Sequence, residues 1–394
     1  RIEDFNLLRG KQNQYYLVSL HRSYDDAIYK QLQQFGYRPE EDFIFRQFKP
    51  IVLENLDLSK SNYYDAYGNS IEGFRSSVGK VILRGFNNHI MFANNMETAR
   101  FLTFDLCANA CIDIGERVRF DAPVRIESKG FDYSSTLKIG NGCVFSQGGL
   151  FRFYTPAAAI IGENCTASSK FELHVNQGKK AIIGRDCMFS FENELWAGDG
   201  HAVFDVKSGT CTNRDMSGSY RPSNNLVIGK HVWVGKQAFI MHGTNIGSGS
   251  IVGARSVVKG VFPNNCTVVG NPAKVIKEDV AWSRDGMAAG LESCGRPEYV
   301  VLTSHAQAPI SGRKVLVIGG TRFMGVQLVK ELLALGNDVT IATRGHTKDN
   351  FGMYVNRLIM DVSNADSVKS ALCGKFFDIV FDNLAYCSIY ADNV

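Results

Sequence analysis

The residues best suited to chemistry lie in a polar insertion between Trp196 and Val227. The insertion opens with GDGHAVFD, residues 198–205, which places His201 two residues after Asp199. An imidazole with a pKa of about 6.5 exchanges protons readily at neutral pH, so His201 is a candidate general base. Asp199 either orients this imidazole or shapes the turn. The alternative interpretation of His201 is an ordinary exposed loop histidine.

Around this insertion, aliphatic side chains recur with a period of six. Such a period fits neither an α-helix, with about 3.6 residues per turn, nor a half-buried strand, with a period of two. It indicates a triangular coil in which each short strand points one aliphatic side chain inward, so that stacked coils bury a continuous column. The unbroken series consists of Ile228, Val234, Ile240, Ile246, Val252 and Val258.

The same phase extends backwards through four earlier coils. Extra residues between the coils leave the prism at its corners, and a rigid scaffold that extrudes one long loop usually carries its chemistry there. We expect His174, His231 and His242 to be surface or corner residues. The predicted inward residues of the earlier coils are Ile114, Phe120 and Ile126; Ile139, Phe145 and Phe151; Ile161, Ala167 and Leu173; and Ile183, Phe189 and Leu195.

The hexapeptide pattern resembles the left-handed parallel β-helix acyltransferases. Residues 160–278, with a Gly-His pair in the insertion and GNPAKVIK at 270–277, look similar to the galactoside, maltose and polysaccharide-type O-acetyltransferases. This resemblance implies direct acetyl transfer from acetyl-CoA, with His201 as the general base. It places Glu172 where the galactoside family holds an acceptor-binding Asn, and we assign Glu172 and Trp196 to acceptor binding.

The resemblance also implies a coenzyme A site along the outside of the coils. In the family, the pantetheine follows main-chain groups near a Gly-Ala pair, and a tryptophan flanks the thioester. A closing proline and basic residues lie near the coenzyme and its phosphates. Three prisms assemble side by side in these families, which implies a homotrimer with active sites between subunits. The corresponding residues are Trp233, Gly235, Gly253, Ala254, Arg255, Ser256, Lys259, Pro272, Lys274 and Lys277.

A second pattern begins at Arg313. Residues 314–345 predict a strand, a glycine turn, a helix and a second strand. Their phrase IGGTRFMG resembles the atypical extended short-chain dehydrogenase/reductases, which implies a dinucleotide site at the turn and at later strand ends. The residues assigned to it are Gly319, Thr321, Arg322, Phe323, Met324, Gly325, Arg344, Asp361, Leu384 and Ala385.

The end of the second strand bears on the choice of dinucleotide. An acid there would bind the ribose 2′-hydroxyl, whereas Arg344 can pair with a 2′-phosphate, so the sequence favours NADP over NAD. The family's Tyr-x-x-x-Lys is missing, since neither Tyr386 nor Tyr390 has a lysine four residues on. We therefore expect about half of a dinucleotide fold, without its own catalysis, and interpret the chain as a fragment of a longer protein.

Composition argues against several classes of function. A formal net charge of +4 is too mild to indicate nucleic acid. The chain holds no run of about 18 apolar residues that would span a bilayer, and its first residues lack a signal-peptide apolar region. We therefore predict a cytoplasmic protein without a membrane span.

The ten cysteines do not suggest a disulfide framework or a metal site. Cys143, Cys165 and Cys187 each end an Ile-Gly-x-x-Cys phrase, so we interpret them as reduced, small interior residues of the repeat. The HxxxxH spacing of the γ-class carbonic anhydrases is absent, and we predict no metal.

Taken together, these patterns predict a mainly β fold, a left-handed parallel β-helix with flanking α/β segments. The predicted function is an acetyl-CoA-dependent O- or N-acetyltransferase acting on a sugar or nucleotide sugar in surface polysaccharide synthesis, with a further oxidoreductase or epimerase half. One alternative is an NADP-dependent nucleotide-sugar epimerase or reductase fragment with the β-helix as a trimerisation scaffold; another is a non-catalytic scaffold. The predicted boundaries are 1–75 for a small α/β segment and linker, 76–278 for the β-helix, 279–312 for a connector and 313–394 for a partial Rossmann domain.

Overall fold

The computed structural model describes residues 16–17, 43–44, 50–59, 61–73, 77–93, 99–130, 134–212, 225–304, 313–321, 323–334, 337–347, 349, 351 and 355–384. The chain forms two compact units, residues 1–51 and 52–394. In this first unit the sequence predicts strands at YYLVSL (15–20) and DFIF (42–45), with a helix over 24–36 between them. The structure has β1 (Tyr16–Leu17) paired in parallel with β2 (Phe43–Ile44). The helix predicted between them, 24–36, lies outside the described residues.

Between residues 51 and 277 the chain coils into a prism with three sheets, called faces A, B and C. Neighbouring strands within each face pair in parallel, except at the two ends of the prism. Face A contains β10 (Arg119–Phe120), β13 (Val144–Phe145), β16 (Thr166–Ala167), β19 (Met188–Phe189), β22 (Trp233–Val234), β25 (Ile251–Val252), β28 (Thr267–Gly270) and β29 (Ala273–Lys277). Face B contains β3 (Ile51–Asp57), β6 (Ser77–Leu83), β8 (Ala99–Leu106), β11 (Val124–Lys129), β14 (Gly149–Tyr154), β17 (Phe171–Val175), β20 (Glu194–Ala197), β23 (Phe239–Met241) and β26 (Val257–Val258). Face C contains β4 (Tyr63–Tyr64), β5 (Ser70–Glu72), β7 (His89–Phe92), β9 (Ala110–Ile114), β12 (Ser135–Ile139), β15 (Ala157–Ile161), β18 (Lys179–Ile183), β21 (Leu226–Ile228), β24 (Asn245–Ile246) and β27 (Val261–Phe262).

The predicted inward residues form three buried columns, one under each face. Ile139, Ile161 and Ile183 are paired in register along face C, and every predicted inward side chain is at most 3% exposed. On face A, the rings of Phe120 and Phe145 stack with centroids 5.3 Å apart. These columns confirm the mainly β, parallel β-helix fold class.

The glycine that follows the face C aliphatic residue meets a steric requirement. At the corner between faces C and A, a Cβ on Gly162 would lie 2.4 Å from the backbone nitrogen of Arg185. A Cβ on Gly247 would lie 2.3 Å from that of Asn264. Since any larger side chain would push successive coils apart, the Ile-Gly phrase follows from the close stacking of the coils.

The three repeated cysteines are interior residues, as predicted. Cys143, Cys165 and Cys187 are all at most 2% exposed. Each Sγ donates to a carbonyl of the next coil at 3.1 Å, on Gly162, Gly184 and Gly229 respectively. The pKa of the Cys187 thiol is raised, chiefly by burial, which keeps it protonated.

The β-helix begins earlier than the predicted boundary at residue 76. Strands β3, β4 and β5 already belong to faces B and C, and Leu58 and Ile71 are buried. The described part of 57–70, which the sequence assigned to a linker, therefore belongs to the end coils. Their apolar side chains do not recur at six-residue intervals, so the period alone did not reveal them.

The first part of the predicted connector forms a strap along the corner between faces C and A. Its two short 3₁₀ helices are Leu291–Cys294 and Pro297–Tyr299. The rings of Trp282 and Tyr299 sandwich that of His231 at centroid distances of 4.1 and 4.4 Å. His231 is thus a corner residue, as expected, but it is buried, because the strap covers it.

We predict that Trp282→Ala destabilises the β-helix by about 3–5 kcal/mol, because it removes a buried indole and its ring stack. Urea unfolding followed by circular dichroism measures the loss. Met287→Ala is the matched control, since Met287 lies in the same strap and is exposed, and we expect a change within about 0.5 kcal/mol. Equal effects of the two substitutions would contradict a structural role for the strap.

The segment 313–394 is called the C-terminal half, after the half dinucleotide fold predicted for it. It contains a parallel sheet with the strand order β32 (Val355–Ile359), β31 (Asp338–Thr343), β30 (Lys314–Ile318) and β33 (Ile379–Asp382). One side of this sheet forms a common apolar cluster with Ala158 and Ile160 of face C, so the half packs on the outside of the prism. None of the helices in the described ranges has the length and apolar character needed to cross a membrane. The elements of this half are β30 (Lys314–Ile318), α1 (Phe323–Ala334), β31 (Asp338–Thr343), β32 (Val355–Ile359), α2 (Ala365–Leu372) and β33 (Ile379–Asp382).

Candidate active site

The predicted base lies where the chain leaves face B for face C. Strand β20 ends at Ala197, whose carbonyl accepts the N–H of Asn176 at 2.9 Å. Gly198 follows with φ of +127°, and a Cβ there would lie 2.6 Å from Cβ of Asn176. The close approach and positive φ make glycine necessary at the exit of the loop. Beyond it, His201 is exposed.

The loop has its own local structure after His201. Phe204 forms an antiparallel bridge with Cys211, and the carbonyl of Val203 accepts the N–H of Thr212 at 2.8 Å. Residues 203–212 therefore form a small hairpin next to the candidate base. The rest of the insertion, 213–224, lies outside the described residues.

Asp199 lies against a histidine other than the predicted base. Its Oδ1 is 3.3 Å from Nδ1 of His242, in the corner that follows β23. On the other side of the ring, Nζ of Lys259 lies 3.3 Å from Nε2. The pKa of His242 is lowered, chiefly by burial, against the opposing effect of Asp199 and with a further lowering by Lys259 and Lys179. His242 is thus a corner residue, as expected, and its side chain is 12% exposed.

Part of the predicted coenzyme A set lies at the corner between faces A and B, called the A–B edge. All strands of face B between β8 and β26 run parallel, so the turns from face A meet their N-terminal ends there. Trp233 is 38% exposed on β22 of face A. Gly235, Gly253, Ala254 and Arg255 follow strands β22 and β25, and the Arg255 Nε donates to Gln237 Oε1 at 2.9 Å.

The other residues predicted to bind coenzyme A lie in three different places. Pro272, Lys274 and Lys277 are exposed on the closing hairpin of face A. Lys259 lies at the opposite corner, between faces B and C, beside His242. Ser256 is fully buried, and its Oγ accepts the N–H of Gly270 at 3.1 Å, so its side chain faces the interior. The six-residue phase does not distinguish these directions outside the inward columns.

The predicted acceptor residue Glu172 lines a cavity of about 440 Å³ at the A–B edge of face B. Glu194 on the next coil is paired in register with Glu172. Lys170 Nζ lies 3.6 Å from Oε1 of Glu172. The cavity thus presents several carboxylates beside one ammonium group and an aromatic ring. Its lining residues are Lys170, Glu172, Glu192, Glu194, Gln237, Ala238 and Phe239.

Trp196, the second predicted acceptor residue, stacks on His174. The two rings are 4.3 Å apart at an angle of 17°, and Nε2 of His174 lies 3.3 Å from Oε2 of Glu172. His174 is only 3% exposed, which corrects the expectation of a surface or corner residue. Burial is the main cause that lowers the pKa of His174, so the ring is neutral at pH 7. Outward positions of a β-helix can be buried by their neighbours along the ladder, which the sequence pattern did not reveal.

The predicted donor residues and the predicted base lie at opposite edges of face B. Gln237 stands at the A–B edge and His242 at the corner between faces B and C, called the B–C edge. Five residue steps at about 3.3 Å per residue separate them by roughly 16 Å. The exit of the loop that carries His201 is at the B–C edge as well, whereas Trp233 lies near the A–B edge.

The C-terminal half contains a tight glycine turn between β30 and α1. Gly319 has φ of +80°, and a Cβ on Gly325 would lie 2.3 Å from the carbonyl oxygen of Gly319. The turn therefore brings the start of the helix close to the end of the strand, which fits a phosphate of a dinucleotide. Leu384 packs against this turn, since a Cβ on Gly319 would lie 2.8 Å from its Cγ.

The other predicted dinucleotide residues are distributed around this turn. Thr321 belongs to the turn itself, Phe323 and Met324 open α1, and Arg344 is exposed after β31. The pKa of Asp361 is lowered, chiefly by its hydrogen bond from Ser363 Oγ at 2.7 Å. The predicted contacts of Arg322 and Ala385 lie outside the described residues.

Two family models match this chain. Residues 225–260 match "Bacterial transferase hexapeptide (six repeats)", and residues 315–393 match "NAD dependent epimerase/dehydratase family". The chain contains a hexapeptide transferase domain. A segment of the epimerase/dehydratase type follows it, in agreement with both resemblances seen in the sequence.

The hexapeptide domain is similar to known acetyltransferases. It is 48% identical over 56 residues to a putative lipopolysaccharide biosynthesis O-acetyl transferase of Escherichia coli K12, covering 14% of this chain and 29% of that protein. It is 37% identical over 129 residues to a polysialic acid O-acetyltransferase of Escherichia coli O1:K1, covering 33% of this chain and 39% of that protein. The chain spans less than half the length of each of these two relatives.

Among solved structures, the polysialic acid-specific acetyltransferase NeuO aligns at 24% identity with a TM-score of 0.40, covering 56% of this chain and 81% of that chain.

Proposed function

We propose that this protein is an acetyl-CoA-dependent O- or N-acetyltransferase acting on a sugar or nucleotide-linked sugar in surface polysaccharide synthesis. The observation that carries the proposal is the exit of the His201 loop at the B–C edge of a hexapeptide prism whose A–B edge carries Trp233. The similarity to polysaccharide O-acetyltransferases supports the class of reaction and acceptor.

In the proposed mechanism, the acceptor attacks the thioester directly. His201 removes the proton from the acceptor hydroxyl or amine as its lone pair forms the new bond to the acetyl carbon. The carbon–sulfur bond breaks, and His201 returns the proton to the sulfur of coenzyme A. No acyl-enzyme forms, so the buried cysteines of the prism have no part in the reaction.

The donor binds along the A–B edge in this proposal. Trp233 flanks the thioester, and the backbone at Gly235, Gly253 and Ala254 accommodates the pantetheine. Exposed cations, Arg255 beside it and Lys274 and Lys277 on the closing hairpin, bind phosphates as charged donors. Glycine is required at position 253 by the next coil, because a Cβ there would lie 2.6 Å from Val269 Cγ2.

The acceptor occupies the cavity beside Glu172, next to the His174–Trp196 stack. Carboxylates accept hydrogen bonds from sugar hydroxyl and amino groups, and Glu172 and Glu194 supply such acceptors. The same arrangement favours a neutral or amino-bearing sugar ring of the acceptor in this cavity.

We further propose that three copies assemble in the cytoplasm with the active sites between subunits. The roughly 16 Å across face B separates the donor edge from the base edge of one chain, so a second copy can bring them together. Face C is covered in part by the C-terminal half, which leaves faces A and B for this contact.

Replacing the base should abolish transfer without abolishing donor binding. We expect His201→Ala to lower thiol release from acetyl-CoA by about 10²–10⁴-fold in the presence of a sugar or nucleotide-sugar acceptor. Val206→Ala is the matched control, since Val206 is 97% exposed on the same loop. Acceptor-dependent release by His201→Ala at the wild-type rate would exclude His201 as the base, and acetyl-CoA that fails to bind would favour the scaffold alternative.

The C-terminal half supports a second, separate binding function for NADP. We expect NADPH to bind the full chain, and Arg344→Gln to weaken this binding by roughly tenfold while leaving NADH affinity unchanged. Intrinsic fluorescence titration measures both affinities, and Arg313→Gln is the control because Arg313 is also exposed but precedes β30. Equal losses for NADPH and NADH would contradict a contact with the 2′-phosphate.

A further inference from the structure

We propose that His242 is a positioning residue of the acetyl-transfer site, which fixes Asp199 and thereby the turn that carries His201. The proposal rests on the proposed function, since it assigns a role within the same reaction. It concerns a histidine that the sequence placed among unremarkable surface or corner residues.

The partners of His242 determine which ring nitrogen carries its proton. A carboxylate can only accept, and Asp199 Oδ1 is 3.3 Å from Nδ1. An ammonium group can only donate, and Lys259 Nζ is 3.3 Å from Nε2. Both contacts are satisfied at once only by a neutral imidazole that donates from Nδ1 to Asp199 and accepts at Nε2 from Lys259.

Asp199, His242 and Lys259 form a cluster at the B–C edge, where the loop leaves the prism. The last main-chain bond of β20 to the prism joins the Ala197 carbonyl to the Asn176 N–H at 2.9 Å. Asp199 follows two residues later, and His201 two residues after that. The contact with His242 is therefore a side-chain anchor placed between the end of the strand and the base.

The charges that face His242 come from three elements. Asp199 belongs to the loop, Lys259 follows β26, and Lys179 begins β18, with a Cβ on Gly198 lying 3.3 Å from its Cγ. Protonation of His242 would place an N–H of the ring against the ammonium of Lys259. Two donors of like charge repel each other, so acid conditions break the contact with Lys259, whereas the charged ring still donates to Asp199. Burial and the two lysines lower the pKa of His242, which keeps the ring neutral near pH 7.

Two substitutions separate positioning from packing. His242→Leu keeps an apolar side chain in the corner but removes the donor, and we expect kcat to fall by roughly ten- to hundredfold with little change in the KM for acetyl-CoA. His242→Asn retains an N–H donor near the position of Nδ1, and we expect it to recover most of the lost kcat. A Leu variant with wild-type kcat, or an Asn variant as slow as the Leu variant at equal thermal stability, would overturn the proposal.

Titration of His242 supplies a readout that packing alone would not move. Removing the positive charge in Lys259→Met raises the pKa of His242, so we expect the midpoint of its imidazole ¹⁵N titration to move to higher pH. An unchanged midpoint would overturn the coupling of Lys259 to His242.

A measurement without turnover distinguishes failure of this proposal from failure of the proposed function. Imidazole ¹⁵N shifts of the full chain should report an Nδ1–H tautomer for His242, and Asp199→Asn should lower its pKa. The opposite tautomer, or no response to Asp199→Asn, overturns the proposal even in an active enzyme. If no acceptor is acetylated, the proposed function fails and the positioning role with it, while the shifts still report whether Asp199 holds His242.

Discussion

Close stacking of successive coils is the constraint on which the rest of this structure depends. Parallel hydrogen bonding between neighbouring coils fixes their separation, so the inward side chains of neighbouring coils must fill the interior together. On face A, the small side chain of Ala167 lies between Phe145 and Phe189, and Val234 follows in the next coil. The same stacking forbids a side chain larger than glycine at the corner between faces C and A. Rigidity follows, and every functional group must lie on an outward position, a corner or a loop.

The constraint also explains how the fold separates the parts of a reaction. Residues that follow face A are held at one edge of face B, and residues that follow face B are held at the other. Trp233 and the His201 loop consequently begin at different edges of one prism. Specificity in this account comes from what is added at the edges: a hairpin loop and an Asp199–His242–Lys259 cluster at one, and an acidic cavity at the other.

The inward columns could be predicted residue by residue, because a period of six admits a single triangular arrangement. The glycine turn of the C-terminal half was equally visible, since a strand, a glycine phrase and a helix follow each other directly in the chain. The burial of outward-facing residues could not be predicted from the period. The burial of His174 depends on Trp196 in the next coil, and that of His231 on Trp282 in the strap, so both depend on contacts distant in sequence. The end coils near Ile71 were missed because their irregular strands break the period. Among the residues predicted to bind the donor, Ser256 and Lys259 are three positions apart, yet Ser256 faces the interior and Lys259 lies at the B–C edge.

In the proposed trimer, a donor edge from one copy meets the base of another. Mixing chains that carry His201→Ala with chains that carry Trp233→Ala tests this arrangement, with each variant by itself and the double variant as controls. In a random equal mixture of trimers, about one quarter of the sites would combine an intact donor edge with an intact base. We expect activity near one quarter of the wild-type value from two inactive preparations. A mixture that stays as inactive as its components, although the chains have exchanged, would contradict it.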